Sequence, residues 1–107
     1  MIVRNRIKKH SEFQDVISKG KLERSNCFNM YFIKNTLNEA RIGISVPKKS
    51  GNAVIRNRIK RQVRSMCGEL MNFSLNYDLV LVIRKDYNIQ NFSSIKDELE
   101  NLLKKLG

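Results

Sequence analysis

The stretch from residue 40 to residue 68 limits what this chain can fold into more than any other part of the sequence. It holds eight Lys and Arg residues and no Asp or Glu. Charges on an ordinary solvated helix alternate in sign, so a one-sign run of this length predicts a surface that meets a polyanion. Residues 41–46 alternate like a strand, and the residues after Pro47 have the periodicity of a helix.

That helix is predicted to begin after Asn52, its N-cap, and to continue at least through Met66; an extension across Gly68 would cost roughly 1 kcal/mol. Its apolar residues fall within an arc of about 80° and form the face that packs on a sheet; they are Ile55, Ile59, Val63, Met66 and Leu70. The opposite face is basic and polar, and Lys48 and Lys49 lie just before the helix; the face comprises Arg56, Asn57, Arg58, Lys60, Arg61 and Arg64. Guanidinium groups can bind phosphate oxygens with two hydrogen bonds each.

The whole chain has 107 residues, a mass of 12.5 kDa and a formal net charge of +11. We expect one domain over residues 1–107, with nucleic acid as the leading partner and an anionic membrane surface as the second. No apolar run is long enough to span a bilayer, and the start of the chain lacks the apolar core of a secretory signal. Cys27 and Cys67 match neither a zinc site nor a disulfide scaffold. These features predict a cytoplasmic protein.

Two further helices are predicted at the ends of the chain. The first is capped by Ser11 with Gln14 completing a capping box, and it ends at Gly20 in the left-handed conformation. The last begins near Ser93 or Ser94 and buries a row of Ile and Leu residues.

Strands are predicted at residues 27–34, 41–46 and 78–84, with a short one near 21–25. The order is therefore α-β-β-β-α-β-α, an α+β fold in which helices pack on a small mixed sheet as an α-β sandwich. In the strand over 41–46, Gly43 and Ser45 leave one face nearly bare, which allows something to approach the sheet closely. The general chirality rule predicts a right-handed crossover into the strand at 78–84.

Other interpretations of the basic helix fit less well. A major-groove recognition helix needs a preceding helix and a tight turn, whereas a strand precedes this one. A membrane-surface helix is typically rich in Trp, Phe or Leu on its apolar face.

The segment SVPKKSGNAVIRNRIKR at residues 45–61 closely resembles the signature of the protein subunit of bacterial ribonuclease P. Arg56-Asn57-Arg58 is that family's RNR motif, and the likeness extends over almost the whole chain. The resemblance implies a fold like the second domain of ribosomal protein S5, with a left-handed β-α-β crossover. Here the family and the general rule disagree, and we follow the family.

The resemblance also implies a function. The family binds the large catalytic RNA of ribonuclease P and helps remove the 5′ leader from precursor tRNA, while the RNA carries out the hydrolysis with Mg²⁺. We expect one protein per RNA, a monomeric chain, no membrane partner and no cofactor on the chain itself.

Roles follow by position from the resemblance. The surface against the catalytic RNA comprises Lys48, Lys49, Asn52, Arg56, Asn57, Arg58, Lys60, Arg61 and Arg64. The groove for the single-stranded leader comprises Phe13, Ile17 and Tyr31, and Ile17 stands where many relatives carry a second aromatic residue.

Two rival functions remain at this level: a small basic ribosomal protein and a stand-alone metal-dependent RNase. A protein nuclease normally clusters carboxylates for metals or uses a His/Lys pair. The basic segment has no carboxylate, and the single histidine, His10, lies beside the first helix among lysines. We therefore expect no active site in the chain itself.

Overall fold

The computed structural model describes residues 5–106, in which helices cover both faces of a four-stranded sheet. In chain order the elements are helix α1 (His10–Lys19), strands β1 (Lys21–Arg24), β2 (Phe28–Lys34) and β3 (Arg41–Ser45), helix α2 (Ala53–Leu70), strand β4 (Tyr77–Ile83) and helix α3 (Phe92–Leu103). Single 3₁₀ turns precede α2 at Lys48–Ser50 and follow α3 at Lys104–Leu106. The predicted α+β fold and order of elements are confirmed.

The strands lie in the order β1-β2-β4-β3. β2 is antiparallel to both of its neighbours, whereas β3 and β4 are parallel, with Ile42 opposite Leu79. Because adjacent parallel strands need a crossover, α2 makes the predicted β-α-β connection. Its left-handed sense stays a prediction of the family resemblance.

β4 is buried on both faces, which explains its nearly continuous apolar sequence. Leu79 and Leu81 belong to the main core beneath α2 and α3, while Val80 packs with Val16 of α1 on the opposite face. The predicted strand at residues 27–34 is confirmed as well, and its alternate residues Phe28 and Met30 are fully buried in the main core.

The N-terminus of α2 follows the sequence prediction. The Asn52 side-chain oxygen accepts a hydrogen bond from the backbone N–H of Ile55 at 3.0 Å. Gly51 has a φ of 146°, and a Cβ there would lie 2.9 Å from the Ile55 side chain, so glycine is required on both counts. The helix crosses Gly68 and buries the predicted apolar face.

The predicted ends of the other two helices are wrong in detail. α1 begins at His10, so Ser11 lies in its first turn and does not cap it. Gly20 is extended, with φ −80°, rather than left-handed. It is needed because the chain turns straight into β1: a Cβ there would lie 2.5 Å from the Val16 carbonyl oxygen. α3 begins at Phe92, one residue before the predicted range.

Within residues 5–106, no helix has the length and apolar character needed to cross a membrane.

Candidate nucleic-acid interface

The structure divides the basic side chains of α2 into two stripes. Asn57, Arg58 and Arg61 are exposed and form the outer stripe. Arg56, Lys60 and Arg64 recur every fourth residue and form an inner, half-buried stripe. The two stripes present cations both outward and toward the sheet.

The residues just before and at the start of α2 continue the outer stripe. Lys48 and Lys49 are exposed in the 3₁₀ turn. Asn52 uses its side-chain oxygen as the helix cap, so its amide NH₂ is the group left for another partner. Val54 is 73% exposed one turn before Arg58, an apolar residue of this surface that the sequence analysis missed.

Two residues of the inner stripe, Lys60 and Arg64, line a pocket of about 260 Å³ beside β3. Arg6, Lys8 and Phe13 line it together with these two residues of α2. None of the described residues that line this pocket carries a carboxylate. Four cations around one concave site create a positive potential suited to a phosphate group.

Arg6 and Lys8 reach this pocket because the N-terminal segment pairs with the edge of the sheet. The backbone N–H of Ile7 donates to the Ile42 carbonyl at 3.1 Å, and the Ile7 side chain is buried. This bridge brings Arg6 and Lys8 beside β3, while the Ile7 side chain packs with Val16 and Val80. The sequence analysis did not assign these two cations to the interface; the alternating Arg6-Ile7-Lys8 pattern was the available signal.

Two guanidinium nitrogens at this surface are buried without a partner. The Nε–H groups of Arg6 and Arg56 are shielded from solvent and donate no hydrogen bond to the residues described. A buried donor without an acceptor is costly, and a phosphate oxygen would satisfy it.

The three predicted leader residues come together on the other face of the sheet from the main core. Phe13, Ile17 and Tyr31 are all partly exposed and pack around the buried side chains of Val16 and Val80. An apolar groove with aromatic residues at its surface suits the stacking of unpaired bases.

The expectation that the bare face of β3 receives a ligand directly is corrected at Gly43. A Cβ on Gly43 would lie 2.6 Å from Cζ of Phe13, so the chain's own ring occupies that space. The missing side chain seats Phe13 against the strand, and a ligand would meet the ring rather than the backbone. Phe13 is thus both a packing residue and a wall of the pocket.

The carboxylates nearest the groove are held in ion pairs. Arg41 contacts Glu12 at 2.9 Å and Asp78 at 2.7 Å, and Asn35 donates to Asp78 at 2.8 Å. The hydrogen bond to Asp78 raises the pKa of the Arg41 guanidinium above its usual value. In the described part of the chain, no group of three His, Cys, Asp or Glu residues could hold a metal ion. These paired carboxylates do not fit a Mg²⁺ site.

The comparisons with known proteins bear on this basic surface. The family model for ribonuclease P matches residues 1–107. The chain belongs to the ribonuclease P protein family. The ribonuclease P protein component of Clostridium kluyveri is 39% identical over 105 residues, which cover 95% of this chain and 94% of the relative. That of Bacillus cereus is 41% identical over 106 residues, covering 97% and 92%.

Solved structures of the ribonuclease P family share the fold. The RNase P protein from Thermotoga maritima superposes with a TM-score of 0.83 at 28% identity and covers 95% of this chain and 97% of its own. A structure of the Staphylococcus aureus RNase P protein gives a TM-score of 0.80 at 30% identity, covering 96% and 98%. The family predicted from the RNR motif is confirmed, and with it the assignment to the tRNA 5′-processing ribonucleoprotein with an RNA partner.

Proposed function

We propose that this chain binds the catalytic RNA of ribonuclease P through α2 and the 5′ leader of precursor tRNA through the groove under α1. The proposal rests on the observation that the two sites share one pocket. Lys60 and Arg64 of α2 and Phe13 of the groove all line it. One monomeric protein acts with one RNA in the cytoplasm.

The outer stripe supports the contact with the catalytic RNA. Its cations stand in a segment with no carboxylate, so nothing within the segment competes with phosphate for them. A folded RNA presents phosphates at irregular spacing, which suits an array of flexible Lys and Arg side chains better than one small ligand does. The proposed contacts to the catalytic RNA are Lys48, Lys49, Asn52, Arg56, Asn57, Arg58, Lys60, Arg61 and Arg64.

The groove supports the contact with the leader. A single strand can stack bases on Tyr31 and Phe13 while a phosphate enters the pocket between Arg6, Lys8 and Arg64. Ile17 adds apolar surface to the same groove and no aromatic ring.

In this proposal the chain orients RNA and supplies no hydrolytic step. Glu12 and Asp78 are engaged by Arg41, and His10 is an exposed residue at the start of α1. Magnesium belongs to the catalytic RNA, where it supplies the activation of water.

The decisive experiment adds the purified protein to the catalytic RNA from the same organism at low Mg²⁺ and follows 5′ maturation of precursor tRNA. We expect strong stimulation by the protein and no cleavage by the protein alone. Cleavage without the RNA would support the stand-alone RNase, and co-sedimentation with ribosomal subunits alone would support the ribosomal protein. Either result would overturn the proposal.

The leader groove has its own test in Tyr31→Ala. We expect the holoenzyme to lose about fivefold or more in affinity for precursor tRNA and little for mature tRNA, because stacking on one ring contributes roughly 1–3 kcal/mol. Tyr31→Phe keeps the ring and should retain the affinity. Equal losses for precursor and mature tRNA would refute the assignment of Tyr31 to the leader.

A further inference from the structure

A second pocket, lined by aromatic rings and cations, opens at the C-terminal end of β2, where α1 turns into β1. Its volume is about 310 Å³, and its lining includes Phe32, Tyr77 and three lysines, Lys19, Lys21 and Lys34. None of these residues belongs to α2 or to the leader groove formed by Phe13, Ile17 and Tyr31.

The two rings form an ordered pair. The centroids of Phe32 and Tyr77 lie 6.0 Å apart with an angle of 74° between the ring planes, an edge-to-face arrangement. Both residues are partly buried and pack against the main core, which holds the pair in place. Both also line the pocket. A fixed ring with an open side is a surface on which a base can stack.

The lysines stand beside the rings because of the strand register. Lys21 of β1 is directly opposite Phe32 of β2, and Lys34 of β2 is directly opposite Tyr77 of β4. Directly opposed residues of antiparallel strands share a face of the sheet, so each ring has a cation next to it.

These cations are available for an anionic ligand. Across residues 5–106, neither Lys21 nor Lys34 forms an ion pair with a carboxylate, and both are exposed. Lys19 approaches Asp15 at 3.8 Å, a pair in which both side chains are about two-thirds exposed and which therefore holds the lysine weakly.

The pocket adjoins the leader groove. Ile33 lines the pocket and also packs with Tyr31 and Ile17 in the groove. Ile33 lies two residues from Tyr31 on the same face of β2, a distance of about 7 Å along the strand. Phe32 and Tyr77 lie on the main-core face instead, so the pocket, which residues of both faces line, opens at the end of the sheet. β4 lies between β2 and the edge strand β3. The pocket that Lys60 and Arg64 line is beside β3.

We propose that this pocket is an extension of the leader site that binds one nucleotide of single-stranded RNA, with its base on the Phe32–Tyr77 pair and its phosphates at Lys21 and Lys34. The inference rests on the proposed function. A leader that leaves the groove passes over the end of β2 to reach the rings, and β4 separates β2 from the pocket beside β3 that Lys60 and Arg64 line. The site therefore takes leader nucleotides beyond those at Phe13 and Tyr31. Leader length should therefore matter for affinity, without a requirement for a particular base.

The test measures the affinity of the reconstituted holoenzyme for precursor tRNAs whose leaders are shortened one nucleotide at a time. With the unaltered protein, the affinity for precursor tRNA should fall about fivefold or more at the leader length at which no nucleotide reaches the pocket. Tyr77→Leu, which keeps apolar packing but removes the ring, should abolish that step and leave the affinity for short leaders unchanged. Lys34→Gln should reduce the step and lower the magnitude of the log–log salt slope for long leaders by up to about 0.7.

Lys104→Gln removes an exposed lysine from the C-terminal turn and serves as the charge-matched control, for which the step should persist. Circular dichroism confirms that Tyr77→Leu is folded, and Lys34→Gln, a surface change, provides the answer if it is not. A step that survives in Lys34→Gln with an unchanged salt slope would overturn the inference while leaving the proposed function intact. Absence of any preference for precursor over mature tRNA in the unaltered holoenzyme would instead count against the proposed function itself.

Discussion

At the scale of single residues, Gly43 fixes the position of Phe13. The ring lies against the strand only because no Cβ intervenes, and one would be 2.6 Å from Cζ. Gly43→Ala should therefore displace the ring and lower the free energy of unfolding by about 1–3 kcal/mol, as overpacking does. Urea denaturation measures the loss.

A double-mutant cycle shows whether Phe13 is the cause. In a Phe13→Leu background the alanine should cost less by about 0.5 kcal/mol or more, because the smaller side chain can give way. Ser45→Ala, on the same face of β3, removes an atom and is the control. Additive costs at Gly43 and Phe13 would contradict the assigned contact.

Arg58 tests the outer stripe of α2 at the same scale. Its side chain is exposed and forms no ion pair with the carboxylates of residues 5–106, so Arg58→Ala should leave stability unchanged and weaken binding to the catalytic RNA. The magnitude of the log–log salt slope should fall by up to about 1, the share of one phosphate contact. Lys104→Ala, with the same loss of charge, should leave the slope as it is.

At the scale of elements, Arg41 joins α1 to the sheet. It starts β3, and its guanidinium contacts Glu12 of α1 and Asp78 of β4. Arg41→Met would leave Asp78, which is 8% exposed, with Asn35 as its remaining side-chain partner among residues 5–106. We expect the free energy of unfolding to fall by about 3 kcal/mol, as when one partner of a buried pair is removed.

The matched control is Lys19→Met, which removes an exposed cation paired with Asp15 on α1. Surface pairs contribute little, so this variant should lose at most about 0.5 kcal/mol. Similar losses in the two variants would show that the Arg41 ion pairs do not hold α1 on the sheet.

The elements themselves were predictable because each has a strong local signal. The apolar face of α2, the alternation of β2 and the buried run of β4 follow from periodicity alone. The ends of α1 were less predictable. Ser11 has the chemistry of a cap, yet the helix begins one residue before it. Gly20 is needed because the Phe32 backbone approaches it closely, rather than for a left-handed turn. Such ends depend on neighbours distant in sequence.

At the scale of the whole molecule, the buried thiol of Cys67 links stability to pH. Burial raises the pKa of Cys67 to about 12, against 9.0 for an unperturbed cysteine. A raised pKa means that the unfolded chain loses its proton first, so this contribution is intact below about pH 9 and is lost as pH rises toward 12. Burial also raises the pKa of Tyr87, which acts in the same direction.

The expected result is a decline in the free energy of unfolding above about pH 9, to which Cys67 adds up to about 1.4 kcal/mol per pH unit. Cys67→Ala should flatten the decline by that amount, whatever its effect at neutral pH. Urea unfolding at pH 8, 9, 10 and 11 in the presence of a reductant measures it. Parallel curves for the two proteins would contradict the linkage.

The sequence by itself determined the class of fold, the basic face of α2 and the family, because periodicity, charge sign and the RNR motif are local properties. Only the tertiary structure decided that Arg6 and Lys8 join Lys60 and Arg64 around one pocket. It also decided that Phe32 and Tyr77 line a second pocket together with three lysines. Those groupings depend on which strand pairs with which, and strand pairing is set by burial of the whole sheet rather than by any one segment.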